Sequence, residues 1–252
     1  MDEEYAAYYD QLFDALLANG ITPMICLEHY ELPGYLLEKY GGWGSKTVVE
    51  LFVRYAEQVF ARYHPKVTRW FTFNEPIVVQ TRVYLDSLRW PYEQNTSTWM
   101  QWNYHKVLAT ASVVKRFREL GYPGTVGCIL NPEVTYPRSR APHDLRAAEI
   151  YDLFYNRMFL DPLVHGVWPP ELLALLEQHQ VTWETSEEDL AIIREHTVDE
   201  LGINLYYPHR VKAPSRAWHP HTPFHPAWYY EPFELPGRRM NASRCLLYTS
   251  PS

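Results

Sequence analysis

Short apolar runs alternate with amphipathic stretches along this chain, and that alternation restricts its fold more than any other feature. Tyr5, Tyr9, Leu12, Phe13, Leu16 and Leu17 recur at helical spacing, with Gly20 placed to close the segment. Ile21 to Leu27 reads as a buried strand. Val48, Phe52, Tyr55 and Val59 mark a second helix, and Val67 to Phe73 a second strand. Val113, Val114, Phe117 and Leu120 mark a third helix, which Gly121-Tyr122-Pro123-Gly124 stops before the strand Thr125 to Leu130. Leu145 to Phe159 reads as a helix ended by Asp161-Pro162. A shorter helix at Leu190 to Glu195 precedes a fourth strand, Leu201 to Tyr206. Strand followed by helix, repeated in this way, requires parallel strands joined by crossover helices.

Two α/β architectures satisfy that order: a doubly wound sheet and a (β/α)8 barrel. A doubly wound nucleotide-binding sheet carries a Gly-rich first turn; neither G-x-G-x-x-G nor G-x-x-x-x-G-K-[ST] occurs here. Each strand instead runs into polar or aromatic residues at its C-terminal end: Glu28-His29-Tyr30, Asn74-Glu75, Asn131 and Tyr206. A barrel enzyme builds its site at that end of its strands. The 252 residues are in the size range of one such domain. Pro, His, Trp and Tyr crowd Ser215 to Pro236, which reads as a long loop over one end of it.

Composition excludes several classes. The net charge of −7 argues against nucleic acid as the partner. No run of 18 apolar residues exists to span a membrane, and Met1-Asp2-Glu3-Glu4 lacks the basic and apolar regions of a signal peptide. Cys26, Cys128 and Cys245 are sparse, odd in number and outside any C-x-x-C pair, which fits a reducing, cytoplasmic setting rather than a disulfide scaffold or zinc site. The sequons at Asn95 and Asn241 are then chance matches. No cofactor is implied, and the sequence does not fix an oligomeric state.

The chemistry concentrates at Trp70-Phe71-Thr72-Phe73-Asn74-Glu75-Pro76, an apolar strand ending in a carboxamide, a carboxyl and a proline that stops the ladder. Glycoside hydrolysis needs one carboxylic acid to protonate the leaving oxygen and a second carboxylate across the anomeric carbon. Desolvation among apolar groups raises a carboxyl's pKa and suits Glu75 to the acid role; the plainer alternative is a strand-end glutamate at the surface. The nine Trp and 20 Tyr fit either sugar-stacking walls or a core rich in large side chains. Glu28, His29 and Glu31 cluster, but not at H-E-x-x-H spacing, and alternation separates Glu28 from His29, so no metal is expected. No G-x-S-x-G supports a serine nucleophile.

Thr72-Phe73-Asn74-Glu75-Pro76 resembles the acid/base motif of glycoside hydrolase family 1, the β-glucosidases and 6-phospho-β-glucosidases. Leu27-Glu28-His29-Tyr30-Glu31-Leu32-Pro33 is similar to the family's Leu-x-His-Trp-Asp-Leu-Pro, with Tyr30 in place of the Trp. Tyr40-Gly41-Gly42-Trp43 looks like its Tyr-Gly-Gly-Trp turn. Asp161-Pro162-Leu163 with Gly166, Trp168 and Pro169 resembles its Asp-Pro-x-x-x-Gly-x-Tyr-Pro, and Gly202-Ile203-Asn204-Leu205-Tyr206-Tyr207 its Gly-x-Asn-Tyr-Tyr strand. The resemblance covers residues 5 to 244.

It implies a retaining β-glycosidase acting on a small β-glycoside or phospho-β-glycoside, with Glu75 as acid/base. His29, Tyr30, Asn74, Asn131 and Tyr206 would bind substrate: His29 on a glycone hydroxyl, Asn74 on the 2-hydroxyl, Asn131 at the end of the fifth strand, and Tyr206 where the family's Tyr touches the nucleophile. From the residues alone, His29 fits equally a hydrogen-bonded core histidine, and Tyr206 a core tyrosine. Gly127 to Leu130, Tyr136-Pro137-Arg138-Ser139 and Gly237 to Asn241 look closest to bacterial 6-phospho-β-glucosidases. Arg138, Arg140, Arg210, Lys212, Arg238 and Arg239 would suit an anionic substrate, or be solvated surface charge.

The family's nucleophile segment, Thr-Glu-Asn-Gly on the seventh strand, does not occur in the chain. The resemblance therefore implies a partial barrel, from second helix through sixth strand, over residues 1–244. Residues 245–252 resemble nothing in the family and read as an unrelated tail. Two sheet edges are expected to lie open, and the alternative to an enzyme is a non-catalytic carbohydrate-binding or structural fragment.

Overall fold

A computed structural model describes residues 2–216 and 222–233. Helix α1 (Glu3–Ala18) starts on Asp2, whose carboxylate accepts from the amides of Glu4 and Tyr5. Strand β1 (Met24–Glu28) follows, then α2 (Gly34–Tyr40) and α3 (Lys46–Tyr63), the last capped by the Ser45 hydroxyl. Strand β2 (Arg69–Asn74) leads through one turn, α4 (Val78–Gln80), into the long α5 (Thr96–Leu120). Next come β3 (Thr125–Leu130), β4 (Thr135–Pro137), α6 (Pro142–Asp152) and α7 (Met158–His165). The remaining elements are α8 (Pro170–Gln178), α9 (Glu187–Glu195), β5 (Glu200–Ile203), β6 (His209–Lys212) and β7 (Glu231–Pro232).

Strands β1, β2, β3 and β5 form one parallel sheet in that order. The order advances in one direction with no reversal, as in a barrel wall; a doubly wound sheet reverses at its switch point. This is the α/β architecture of a partial (β/α)8 barrel. Register brings the C-terminal ends together: Glu28 faces Phe73, Asn74 faces Ile129, and Leu130 faces Ile203. Among the described residues β1 and β5 each pair on one side only, and Met24 and Ile203 on these edges are 55% and 53% exposed. A second, smaller sheet, β4-β6-β7, pairs part of the segment expected to be loop: Val211 lies opposite Pro232 and Lys212 opposite Glu231.

The core lies between the parallel sheet and α3, α5 and α7. Trp70, Trp99, Phe60, Phe73 and Phe154 are fully buried in it. Helix α5 begins well before Val113, where the apolar pattern suggested. Its first half is buried nearly all round, polar residues Asn103, His105 and Lys106 included, so it lacks the one-sided stripe that periodicity detects.

The helix expected to end at Asp161-Pro162 does not end there. Leu153–Arg157 winds as a π-turn and α7 carries Pro162 in its interior. Proline removes the amide that would reach the Met158 carbonyl, and the Trp168 indole N–H donates to that carbonyl instead, at 3.0 Å. The helix stops at Gly166, whose φ of 73° is left-handed and whose absent Cβ would meet the Arg194 Cα at 2.6 Å. Strand β5 ends at Ile203, so Tyr206 lies beyond the strand rather than in it. Residues 245–252, Cys245, Arg238 and Arg239 lie outside the described residues.

Candidate active site

Strand β2 delivers Glu75 to the C-terminal end of the sheet. Its ladder with β3 is irregular between Phe71 and Asn74. Just past it, the Glu75 amide donates to the Ile129 carbonyl at 2.8 Å. The Glu75 backbone takes φ of 48°, a left-handed conformation that costs a non-glycine residue on the order of 1–3 kcal/mol. Lys106, fully buried on α5, donates to the next carbonyl, Pro76 O, at 3.2 Å and so holds the turn from below. The strain is over-determined by these contacts, and it aims a buried carboxylate at the side chains that follow β1 and β5.

Three neutral donors meet that carboxylate. The Tyr206 hydroxyl and the Asn204 amide each donate to Oε1 at 2.8 Å, and the Tyr30 hydroxyl donates to Oε2. Asn204 also donates to Asn74 Oδ1 at 3.0 Å, and the Asn74 amide nitrogen lies 3.2 Å from His29 Nε2. The His29 and Tyr30 rings meet edge to face, with centroids 5.0 Å apart. Residues from three strand ends thus form one polar chain: His29, Asn74, Asn204, Glu75, Tyr206 and Tyr30.

The electrostatics correct one expectation. Burial does push the Glu75 carboxyl up and is the largest single influence. The hydrogen bonds from Tyr30, Asn204 and Tyr206, aided by His29, outweigh it and leave the group below the ordinary glutamate value. Tyr30 in turn is pushed up, first by burial and then by its bond to Glu75, to beyond the phenol range. Both tyrosines therefore stay protonated and act as donors.

Asn131 is not brought into the chain. It lines a small cavity of about 110 Å³ with Pro76, Tyr155 and Ile203, and no hydrogen bond joins it to Glu75 among the described residues. Of the basic residues considered for an anionic substrate, Arg138 is paired with Asp144 at 3.0 Å and Lys212 with Glu231. Residue-by-residue reading missed Asn204 as a site residue, although it stands inside the Gly-x-Asn-Tyr-Tyr segment. It missed Lys106 too, which carries no motif and is revealed only by its burial. Glu28 points elsewhere, as alternation requires: it is buried 3.9 Å from Lys106 and borders a cavity of about 520 Å³ with Leu36, Trp43, Phe52 and Tyr55. None of the Glu75 donors lines that cavity.

No three His, Cys, Asp or Glu residues cluster as a metal site among the described residues. No described helix is long and apolar enough to cross a membrane.

Comparison with known proteins gives the arrangement its relatives. The model of Glycosyl hydrolase family 1 matches residues 1–224. The chain is 39% identical over 244 residues to 6-phospho-beta-glucosidase GmuD of Bacillus subtilis, covering 97% of this chain and 52% of that protein. It is 32% identical over 205 residues to Beta-glucosidase A of Acetivibrio thermocellus, covering 81% of this chain and 45% of the relative. Among solved structures, virulence factor SghA with the substrate analog salicin superposes with a TM-score of 0.84 at 28% identity, over 99% of this chain and 55% of that one. The chain therefore spans about half the length of the relatives it matches, and within that span it belongs to glycosyl hydrolase family 1.

Proposed function

We propose that this chain carries the acid/base half of a retaining β-glycosidase site, with Glu75 as the proton-transfer group and a β-glucoside or 6-phospho-β-glucoside as substrate. The observation that supports it most is the setting of Glu75: a buried carboxylate at the C-terminal end of a parallel sheet, with Oε1 and Oε2 held by side chains from two other strand ends. In the first step Glu75 gives its proton to the glycosidic oxygen as a second carboxylate attacks the anomeric carbon. In the second, Glu75 takes a proton from the water that releases the sugar. In this reading His29 and Asn74 meet hydroxyls of the bound ring, and Tyr206 stands where it also touches the nucleophile. The phosphorylated class is supported by the similarity to GmuD, whose name specifies it, and the plain class by the similarity to Beta-glucosidase A.

Held by three neutral donors and aided by His29, Glu75 favours the ionised form, which is the base. A nucleophile carboxylate about 5–5.5 Å away disfavours that form and returns the residue to the acid. No carboxylate hydrogen-bonds into the cluster among the described residues, and Thr-Glu-Asn-Gly is absent from the sequence. That observation favours, for residues 1–252 on their own, a second reading: sugar binding without turnover.

The reading is tested in a barrel completed by joining this segment to the remaining half of the Bacillus subtilis relative. Glu75→Gln is expected to cut turnover strongly on alkyl β-glucosides. On dinitrophenyl β-glucoside, which leaves without protonation, bond cleavage is largely spared. Equal loss on both substrates removes Glu75 as the general acid.

A further inference from the structure

We propose that Tyr30 is a positioning residue for Glu75, the one side chain that governs the protonation of Glu75 Oε2. The two carboxylate oxygens are unequally served. Oε1 accepts from both Asn204 and Tyr206, at 2.8 Å each, whereas Tyr30 is the sole donor to Oε2 among the described residues. A proton arriving on the carboxylate therefore goes to Oε2, where it displaces one donor rather than two. The Tyr30 hydroxyl is a donor to the carboxylate and, on rotating, an acceptor from the carboxylic acid. It stays hydrogen-bonded in both states, and the Glu75 proton has a fixed partner.

The backbone is built to deliver this contact. Tyr30 takes φ of 75°, left-handed for a residue with a side chain, directly after His29 at the end of β1. Its ring stands edge-on to the His29 imidazole, which limits the directions it adopts. Glu75 faces His29 and Tyr30 after β1, Asn74 on β2, and Asn204 and Tyr206 after β5. On the β3 side its backbone amide donates to the Ile129 carbonyl, and no β3 side chain hydrogen-bonds to it among the described residues. No Asp, Glu, Lys or Arg pairs with Glu75 among these neighbours, so its titration reports chiefly on burial and on its hydrogen bonds. Removing the Tyr30 hydroxyl leaves Oε2 desolvated with no donor, which penalises the carboxylate.

The catalytic meaning of this contact rests on Glu75 being the acid/base, but its test involves no turnover, so the two ideas fail separately. The intact 252-residue chain, labelled with ¹³C in its glutamate carboxyls, is titrated by NMR, with the Glu75 resonance identified by its loss in Glu75→Gln. Tyr30→Phe is expected to raise the Glu75 midpoint by about one pH unit or more, the effect of a charge-assisted hydrogen bond. Tyr206→Phe, which leaves Asn204 on the same oxygen, is expected to raise it less. An unchanged midpoint in Tyr30→Phe, or a larger rise in Tyr206→Phe, overturns the proposal. A second measurement needs no variant: the Tyr30 ¹³Cζ resonance in the wild-type chain must shift with the Glu75 midpoint as the hydroxyl exchanges donor for acceptor. A Tyr30 resonance that ignores the Glu75 titration also overturns it.

Discussion

The Trp168 indole donates to the Met158 carbonyl at 3.0 Å, and this is the carbonyl that Pro162 leaves without its helical donor. The Asp-Pro-x-x-x-Gly-x-Trp spacing thus encodes a continued helix. Trp168→Phe strands a buried acceptor, at about 1–3 kcal/mol, and also loses packing against Tyr104. With Pro162→Ala in the background, the restored amide reaches Met158, and the same Trp168→Phe change is expected to cost less. Urea unfolding of the four chains measures the coupling. Equal costs in both backgrounds contradict the compensation.

A second expectation concerns the floor of the site. Lys106 is fully buried, donates to Pro76 O, and lies 3.9 Å from Glu28, whose Oε2 has no hydrogen bond. Burial pushes the Lys106 ammonium down and the Glu28 carboxyl up, each partly opposed by the other. Removing one partner leaves an uncompensated buried charge, so Glu28→Leu is expected to cost about 3–5 kcal/mol. The double change Glu28→Leu with Lys106→Met is expected to recover much of that loss. A double variant as unstable as the sum of the singles contradicts the pairing.

The barrel class and the site strand were legible because their signals are local. Apolar runs bounded by Gly and Pro located β3 to the residue, and Asn74-Glu75-Pro76 placed the carboxyl. What was not legible depended on contacts between distant segments. Asn204 gains its role by reaching across 129 positions to Glu75. Lys106 sits on a helix face that reads as polar but is buried, and Asn131 falls away from the chain of contacts although it ends its strand like the others. The downward direction of the Glu75 pKa was hidden for the same reason: its donors come from other strand ends.

A third expectation is a pH dependence. Asp144, buried at the start of α6, accepts from Ser139, from the Ala213 amide and from Arg138, and is held at about 2 against an ordinary 3.8. A carboxyl whose folded pKa is depressed contributes stability that is present above its unfolded value and lost as pH falls toward the folded one. Stability is therefore expected to decline between about 3.8 and about 2. Thermal unfolding across that range checks it: Asp144→Asn is expected to start less stable and to flatten that part of the acid limb. An acid limb identical in the two chains contradicts the assignment.

Hydrolysis by residues 1–252 alone tests most directly the central proposal, that Glu75 is a proton-transfer carboxylate and that its nucleophile partner is not supplied by these residues. Glu75 is met by Tyr30, Asn204 and Tyr206, and no second carboxylate hydrogen-bonds to it among the described residues. Without that group no glycosyl-enzyme forms. Purified chain incubated with aryl β-glucosides and with their 6-phosphates is expected to release no detectable aglycone. Robust turnover that disappears on Glu75→Gln contradicts the account, because it requires a second carboxylate within reach of the sugar.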